Sequence, residues 1–419
     1  AEMEIRRDIY LKKLINRMHN GMIKVVTGIR RSGKSYLLFT IFKDYLLSKG
    51  VDENHIISIE LDRLENKKYR NPYVILEQIR SQLIDSKDYY IFLDEVQLLD
   101  QFEDVLNSLL HIKNVDVYVT GSNSKFLSKD IITEFRGRGD EVHVYPVSFR
   151  EYMTVFNGDK YEGWSSYVRF GGLPLTVTMN SDEQRVEYLT RLFEETYIKD
   201  IIERNHIEKK QELNDLINVL ASGIGSLTNP SKIVATFNSV IQSDISLNTV
   251  RSYIEYLEDA FIISEANRYD VKGRKYIGTP LKYYFEDVGL RNARLGFRQV
   301  EETHLMENII YNELRVRGFS VDVGVVMKRK RTKAGVQEKK QLEIDFIANQ
   351  GSRRYYIQSA FSIPDEEKRE QEKASLINVG DSFKKIIIVK DVVKPWHDDD
   401  GILTISLYDF LLDEKSLEL

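Results

Sequence analysis

One stretch of this 419-residue chain decides its fold: Lys24-Val-Val-Thr-Gly28-Ile-Arg-Arg-Ser-Gly33-Lys34-Ser35. It passes from a β-branched segment through two glycines into an apolar segment that favours a helix, and its spacing fits GxxxxGK[ST]. Glycines allow such a loop to turn successive backbone N–H groups toward phosphate oxygens, and the positive end of the following helix adds to the field there. The stretch therefore predicts a strand, a phosphate-binding loop and a helix.

We expect this loop to hold the phosphates of a nucleotide. Lys34 is expected to reach the β- and γ-phosphates, and Ser35 to offer its hydroxyl to Mg²⁺. The predicted cofactors are thus ATP and Mg²⁺. The residues predicted to bind them are Gly28, Ile29, Arg30, Arg31, Ser32, Gly33, Lys34, Ser35 and Tyr36.

A second segment, Tyr89-Tyr-Ile-Phe-Leu-Asp94-Glu95, predicts a buried strand that ends in two adjacent carboxylates. This is the pattern of an acid that holds Mg²⁺, here Asp94, followed by an acid that orients the attacking water, here Glu95. The alternative for the first motif is a Gly-rich turn before a surface helix. The presence of both motifs favours the nucleotide site.

Composition limits the classes of function. The net charge of -5 and the isoelectric point near 6.0 argue against a protein that coats nucleic acid over its whole surface, so any such contact must come from local patches. The absence of Cys excludes disulfides, thiolate zinc sites and a Cys nucleophile. We find no apolar run long enough to span a bilayer and no signal-peptide pattern, and we expect a cytoplasmic protein without membrane contact.

Strand and helix patterns alternate from residue 24 to residue 147, after a helical stripe over residues 4–19. Such alternation predicts an α/β fold with a parallel sheet covered on both faces, which binds ligands at the carboxyl ends of its strands. The predicted strands are Lys24–Gly28, His55–Leu61, Tyr89–Glu95, Asp116–Thr120 and Glu141–Val147.

Two further polar groups follow predicted strands. Asn123 comes after the strand that ends at Thr120, where it would sense the γ-phosphate or hold the attacking water; a plain turn residue is the alternative. Arg136 and Arg138 lie in a Gly-flanked loop. Arg138 suits a finger that stabilises charge on the transferring phosphoryl group, from a neighbouring subunit of a homo-oligomer, and a surface loop paired with acids is the alternative.

These motifs together resemble an AAA+ ATPase of an uncharacterised prokaryotic family. The resemblance covers nearly the whole chain, and it implies an ATPase core joined to a carboxy-terminal region built from a winged helix and a nuclease-like fold. It implies architecture and nucleotide chemistry, and little about biological role. The matching segments are Gly28–Ser35, Phe92–Glu95, Thr120–Asn123, Gly137-Arg138, Tyr145–Phe149, Phe170–Pro174, Lys282–Leu290, Glu343–Phe346 and Tyr356–Gln358.

The patterns divide the chain into four predicted domains. Residues 1–147 form the ATPase core with its amino-terminal helix. Residues 148–210 form a helical lid, interrupted where Phe170-Gly-Gly-Leu-Pro174 forbids a continuous helix. Residues 211–285 form a winged helix, and residues 286–419 form the nuclease-like domain.

The winged helix predicts a contact with DNA. Its third helix would be capped by Ser246 and would present Asn248, Thr249 and Arg251 to a major groove. A basic turn would hold phosphates with Lys272, Arg274 and Lys275. A protein-docking platform is the alternative.

The last region resembles the metal site of PD-(D/E)XK nucleases, with Glu313 on a helix, Asp345 at the end of Glu343-Ile-Asp345, and Gln358 one strand later. Those enzymes carry Glu-x-Lys where this chain has Gln358-Ser-Ala, so an anionic ligand and a cation are missing. We therefore expect a scaffold that has lost cleavage.

A basic loop in the same region suggests a retained nucleic-acid surface, with a solvated loop as the alternative. Its residues are Lys328, Arg329, Lys330 and Arg331. The leading hypothesis is a Mg²⁺-dependent ATPase that couples its nucleotide state to DNA-binding modules. The alternatives are an ATP-dependent signalling switch that docks proteins and a divergent active nuclease.

Overall fold

The computed structural model describes residues 4–124, 139–298 and 300–419. The chain packs into two compact units. The first unit contains Ala1–Val147, Leu173–Leu175 and Leu257–Ile262, and the remaining residues form the second. Among the described residues, no helix has both the length and the apolar character needed to cross a bilayer.

The first unit is built on a five-stranded sheet whose order is β2-β3-β4-β1-β5. All neighbouring strands run parallel, which confirms the predicted parallel α/β sheet. The strands are β1 Ile23–Thr27, β2 Ile56–Glu60, β3 Tyr89–Asp94, β4 Val115–Gly121 and β5 Gly139–His143. The helices are Asp8–Arg17, Lys34–Tyr36, Lys43–Ser48, Pro72–Gln82 and Phe102–Leu110, and a π-helical segment, Leu37–Phe42, joins the second to the third.

Apolar residues cover both faces of this sheet. Val25 belongs to the core beneath the helices Pro72–Gln82 and Phe102–Leu110, whereas Val26 belongs to the opposite core with Phe42. This alternation follows from the two-residue period of a strand. Because β4 lies between β1 and β3, the carboxyl ends of these three strands meet at one edge of the sheet.

The second unit contains an eight-stranded mixed sheet in the order β12-β13-β11-β10-β9-β8-β6-β7. Its strands are β6 Ile263–Asp270, β7 Lys275–Phe285, β8 Ser320–Arg331, β9 Gln337–Gln350, β10 Arg353–Ala360, β11 Lys384–Val389, β12 Trp396–His397 and β13 Leu403–Ser406. The helices of residues 148–419 are Phe149–Met153, Lys160–Phe170, Pro174–Thr178, Asp182–Arg191, Lys199–Asn205, Lys210–Ser222, Pro230–Thr236, Leu247–Asp259, Val288–Arg294, Glu302–Val316, Glu366–Ile377 and Leu407–Leu412, with π-helical segments at Leu192–Ile198 and Phe237–Ile241.

The sheet joins segments that the sequence assigned to different domains. Strand β6 pairs in parallel with β8, so residues 263–285 share one sheet with the strands after residue 286. Strand β6, Ile263–Asp270, leads into the basic turn of the predicted winged helix. The predicted boundary at 285/286 therefore does not separate two sheets, because strand pairing between distant segments overrides the local pattern.

The predicted basic loop 328–331 is also corrected. These four residues form the end of β8 and pair with Gln337–Lys340 of β9 in an antiparallel hairpin. Their side chains are exposed, and β9 pairs with them along one edge of the strand. Charged side chains on an isolated, fully solvated hairpin carry no apolar alternation, so the sequence pattern resembles that of a loop.

Two segments that carry the family resemblance meet in the second unit. The backbone N–H of Gly172 donates to Asp287 Oδ1 at 2.7 Å, and the N–H of Leu290 donates to Oδ2 at 3.1 Å. A Cβ at Gly289 would overlap the carbonyl group of Phe170, so only glycine permits this close approach. The break between the helices Lys160–Phe170 and Pro174–Thr178 is thus held by the amino end of the helix Val288–Arg294.

Candidate functional site

The loop after β1 has the geometry of an anion cradle. Gly28 has φ of 152°, and a Cβ there would lie 2.5 Å from the carbonyl oxygen of Val144 and 2.8 Å from Ser32 Oγ. Arg31 and Gly33 both have left-handed φ values, 71° and 99°. Backbone that alternates handedness in this way turns consecutive N–H groups toward a common point, which suits an anion.

Lys34 begins the helix and folds back over the loop. Its ammonium donates to the carbonyl oxygens of Gly28 at 2.7 Å and Ile29 at 3.0 Å. The side chain is buried, with only 4% of the residue exposed. The predicted phosphate-binding lysine therefore lies at the mouth of the loop that it is expected to serve.

The two predicted Mg²⁺ ligands are in direct contact. Ser35 Oγ donates to the carboxylate of Asp94, with both oxygens at 2.9 Å. Thr120 Oγ1 also donates to Asp94, and it accepts the backbone N–H of Glu95 at 3.0 Å. Sequence reasoning missed Thr120 as a site residue, although its place at the end of the strand beside β3 was a usable signal.

The environment of Asp94 suits a cation. Burial raises the pKa of this carboxyl to about 6, and the nearby charge of Glu95 adds to the rise, while the hydrogen bonds from Thr120 and Ser35 oppose it. Within the described residues the hydrogen bonds to its carboxylate come from the neutral hydroxyls of Ser35 and Thr120, and such a buried acid favours the binding of a positive ion.

Glu95 and Asn123 lie at the same edge of the sheet. Glu95 has a left-handed φ of 52°, and its carboxylate accepts hydrogen bonds from Gln97 Nε2 and, at 3.5 Å, from Ser122 Oγ. Asn123 is the second residue after β4 and is buried. Arg136 and Arg138 lie outside the described residues.

The residues present fit a nucleotide phosphate with Mg²⁺. The hydroxyl of Ser32 is buried inside the loop, and it has no hydrogen-bond partner among the described residues. Because Gly28 has no Cβ, the space beside Ser32 Oγ inside the loop stays open. The oxygens of Ser35 and Asp94 are ligands of the kind that Mg²⁺ prefers.

A second polar cluster lies in the other unit. One carboxylate oxygen from each of Glu307, Glu343 and Asp345 lies within 4.8 Å of the others. The ammonium of Lys282, from β7, lies 3.4 Å from Glu307 and is hydrogen bonded to Glu343. The hydroxyl of Tyr284 is fully buried, has no hydrogen-bond partner within the described part of the chain, and is within electrostatic reach of all three carboxylates.

Burial and mutual charge shift the pKa values of the groups in this cluster. Burial raises the pKa of Glu307 and raises that of Asp345 well above its ordinary value. Burial alone would lower the pKa of Lys282, but the three carboxylates outweigh it and raise that pKa. A bulge in β9 places both Asp345 and Phe346 opposite Val323, and such a bulge re-aims side chains.

The structure corrects one of the predicted nuclease-site residues. Glu313 does not join the cluster, because it pairs with Arg317 at 2.9 Å, and Glu307 supplies the helical carboxylate instead. The side chain of Gln358 binds the backbone of the cluster: its Oε1 accepts the backbone N–H of Asp345 at 2.7 Å, and its Nε2 donates to Ser375 Oγ at 3.1 Å and to the carbonyl oxygen of Glu343 at 3.5 Å. Sequence reasoning missed Lys282, although a lysine inside an apolar strand was a signal.

The predicted nucleic-acid residues fall in two places. Asn248 and Arg251 are exposed on the helix Leu247–Asp259, with Thr249 half-buried, and Thr249 N–H donates to the cap Ser246 at 3.1 Å. The basic turn between β6 and β7 lies beside the base of the basic hairpin, since Lys272 Nζ is 3.5 Å from the carbonyl oxygen of Met327. Lys272, Arg274 and Lys275 are exposed, as are Lys328, Arg329, Lys330 and Arg331.

The fold and the nucleotide site define a nucleotide-binding protein of the AAA+ class, and residues 20–153 match the family described as an AAA domain. Residues 161–301 match a domain of unknown function (DUF8612). The chain belongs to one family with an uncharacterised protein of Haemophilus influenzae, to which it is 32% identical over 97% of this chain and 98% of that protein.

One further relative and one solved structure are also similar to this chain. An uncharacterised protein of Methanocaldococcus jannaschii is 28% identical over 88% of this chain and 80% of its own length. Among solved structures, the ORC1 protein of Aeropyrum pernix, determined in complex with DNA, is 14% identical over 70% of this chain and 93% of that chain, with a TM-score of 0.30.

Proposed function

We propose that this protein is a Mg²⁺-dependent ATPase whose site is the loop 28–35 together with the ends of β3 and β4. The observation that carries this proposal is the contact of Ser35 and Asp94, beside a loop closed by Lys34. Magnesium, when bound, would neutralise charge on the phosphates. Ser35 and Asp94 would hold it, the loop and Lys34 would bind the phosphates, and Glu95 would orient the water.

Calorimetric titration with ATP–Mg²⁺ and a phosphate-release assay test this proposal. Lys34→Ala should lower hydrolysis by about 10²–10³-fold, the usual effect of removing one preorganised cationic group. Glu95→Gln should keep nucleotide binding and lower turnover by about 10²–10⁴-fold. Lys49→Ala, at an exposed position after the same run of helix, is the matched control and should behave as the native protein. Equal heats and equal turnover for Lys34→Ala and Lys49→Ala would refute the proposal.

The finger assigned to Arg138 extends this proposal to a homo-oligomer. If a neighbouring subunit supplies the arginine, specific activity rises with protein concentration, and Arg138→Ala removes that rise without changing ATP binding. Constant specific activity, unaffected by Arg138→Ala, would show that the site is complete within one chain.

The second part of the proposal is a contact with nucleic acid through the basic turn and the basic hairpin. What supports it is their adjacency: Lys272 reaches the strand that carries Lys328–Arg331, and these side chains are exposed on a chain of net charge -5. Binding through phosphates should weaken steeply with salt. A mobility-shift assay over a salt series, with the four residues 328–331 changed to Gln, tests it; absence of binding at low salt would instead favour a signalling switch that docks proteins.

The carboxylate cluster is proposed to serve structure rather than cleavage. What supports this is Lys282, which is 3% exposed and directs its charge to Glu307 and Glu343 instead of leaving it for a substrate. Gln358 adds no negative ligand because its amide is neutral, and its oxygen accepts the backbone N–H of Asp345. A cleavage assay with Mg²⁺ or Mn²⁺ tests it: DNA cut by the native chain and not by Asp345→Ala would establish the divergent nuclease instead.

A further inference from the structure

Three turns of the second unit enclose a cavity of about 590 Å³ that the nucleotide site does not involve. Its walls come from residues 269–274 at the end of β6, residues 349–354 around the turn between β9 and β10, and residues 379–383 before β11. The volume lies within the range of pockets that hold a small organic ligand.

Positive charge dominates this cavity. Four basic side chains line it, and the one acidic residue in its lining is Asp381, whose Oδ2 accepts a hydrogen bond from the hydroxyl of Tyr356 at 2.5 Å. In the described part of the chain, no carboxylate lies within ion-pair distance of three of the four cations. These three are Lys272, Arg274 and Arg354; the fourth, Arg353, has an exposed pairing with Glu418 at 3.5 Å.

Aromatic rings lie beside these charges. The guanidinium of Arg354 lies 5.3 Å from the ring centre of Tyr269 and 5.7 Å from that of Phe383, and its Nε donates to Asn349 Oδ1 at 2.7 Å. Phe383 is 41% exposed and lies at the lining of the cavity, so one apolar ring there is open to solvent. An arginine held by Asn349 beside aromatic rings, one of which is open to solvent, provides a flat surface against which a planar base can stack.

We infer that this cavity binds an unpaired nucleotide, with its phosphate on Lys272 and Arg274 and its base against Phe383. The inference rests on the proposed nucleic-acid contact, and it specifies the form of the ligand. In an intact duplex both faces of a base are covered by its neighbours, so no base face is free to meet Phe383. A single-stranded segment or end offers that face, and a free nucleotide shares the same chemistry.

The basic hairpin lies next to the cavity and extends the proposed binding surface. Lys272 belongs to the cavity and also lies 3.5 Å from the backbone of Met327, at the base of the hairpin. A nucleic-acid strand whose unpaired nucleotide occupies the cavity can therefore place its next phosphates along Lys328–Arg331. The cavity provides selectivity for single strands, and the hairpin provides charge.

Fluorescence anisotropy of the full chain with a labelled 15-nucleotide single strand, and with the same sequence as a duplex, tests the inference. The single strand should bind at least tenfold more tightly. Phe383→Ala should weaken single-strand binding by about five- to hundredfold, the usual range for one lost stacking contact, and should leave duplex binding unchanged. Arg274→Gln should weaken the single strand and reduce the salt slope, whereas Tyr73→Ala, an exposed ring in the other unit, should change nothing.

The outcomes separate this inference from the proposed function. If changing residues 328–331 to Gln abolishes binding while Phe383→Ala and Arg274→Gln do not affect it, the cavity assignment is wrong and the nucleic-acid proposal stands. If neither strand binds at low salt, both are wrong. Displacement of the single strand by the free mononucleotide at equal concentration would identify the source of the ligand as a free nucleotide, and would overturn the single-strand assignment.

Discussion

Asp287 makes the stability of the second unit depend on pH in a direction opposite to that of most carboxylates. The side chain is 3% exposed, and it caps the helix Val288–Arg294 while accepting the backbone N–H groups of Gly172 and Leu290. Burial raises its pKa from 3.8 to about 6, because the loss of hydration outweighs these hydrogen bonds.

The sign of the effect follows from the raised pKa. A carboxyl that binds its proton more tightly in the folded state stabilises that state fully at low pH, and this contribution is lost as pH rises through the folded pKa. A rise of about two pH units corresponds to about 3 kcal/mol. The side chain of Asp287→Asn cannot ionise. Its amide NH₂ would face one of the two backbone N–H groups, which then has no acceptor, so the variant should be less stable by about 1–3 kcal/mol at every pH.

We therefore expect the free energy of unfolding of the native chain to fall, relative to that of Asp287→Asn, by about 2 kcal/mol between pH 4 and pH 7, since the carboxyl of the unfolded chain is already partly ionised at pH 4. Urea unfolding followed by tryptophan fluorescence measures this, because both tryptophans of the chain, Trp164 and Trp396, belong to the second unit. Ser181→Ala, which removes a cap that cannot ionise from another helix, is the control, and its difference from the native chain should not vary with pH. A native-minus-Asp287→Asn difference that is the same at pH 4.5 and pH 7 would refute the reasoning.

Two further predictions concern the second unit. Gly289→Ala should destabilise it by more than about 3 kcal/mol or prevent folding, because the new Cβ meets the backbone carbonyl of Phe170, which cannot move aside. Gly278→Ala, with no atom within 4 Å, should be neutral by the same urea-unfolding measurement. Lys282→Met should cost about 3–5 kcal/mol, since it leaves buried carboxylates without their cation, and Mn²⁺ should restore part of the loss. Lys368→Met removes an exposed pair and should cost less than about 1 kcal/mol; equal losses for both lysines would contradict the assigned role of the cluster.

Local chemistry explains why the nucleotide site could be predicted from the sequence. The glycines of the loop, the lysine and serine at the start of the helix, and the acids at the end of β3 each act through the backbone around them, so their spacing carries the information. The order of the strands in the sheet was not predicted. It places Thr120 between the loop and Asp94, and this contact depends on pairing between segments far apart in the chain.

The sequence could not predict which helical carboxylate joins the cluster of the second unit. Glu307 and Glu313 lie six residues apart on one helix, which separates their side chains by roughly 120° around its axis. Periodicity alone places both on buried faces and cannot tell which face meets β9. The structure decides it, because Glu313 is neutralised locally by Arg317 whereas Glu307 meets Lys282 across a tertiary contact.

The sequence by itself determined the parallel α/β core, the phosphate-binding loop and the carboxylates that follow β3, because these depend on residues close together in the chain. Only the tertiary structure decided that the predicted wing belongs to an eight-stranded sheet, that the basic turn and hairpin are neighbours, and that Lys282 compensates the acidic cluster. The physical reason is that strand pairing and the burial of charge are settled between distant segments, where hydrogen-bond ladders and charge compensation outweigh local preference.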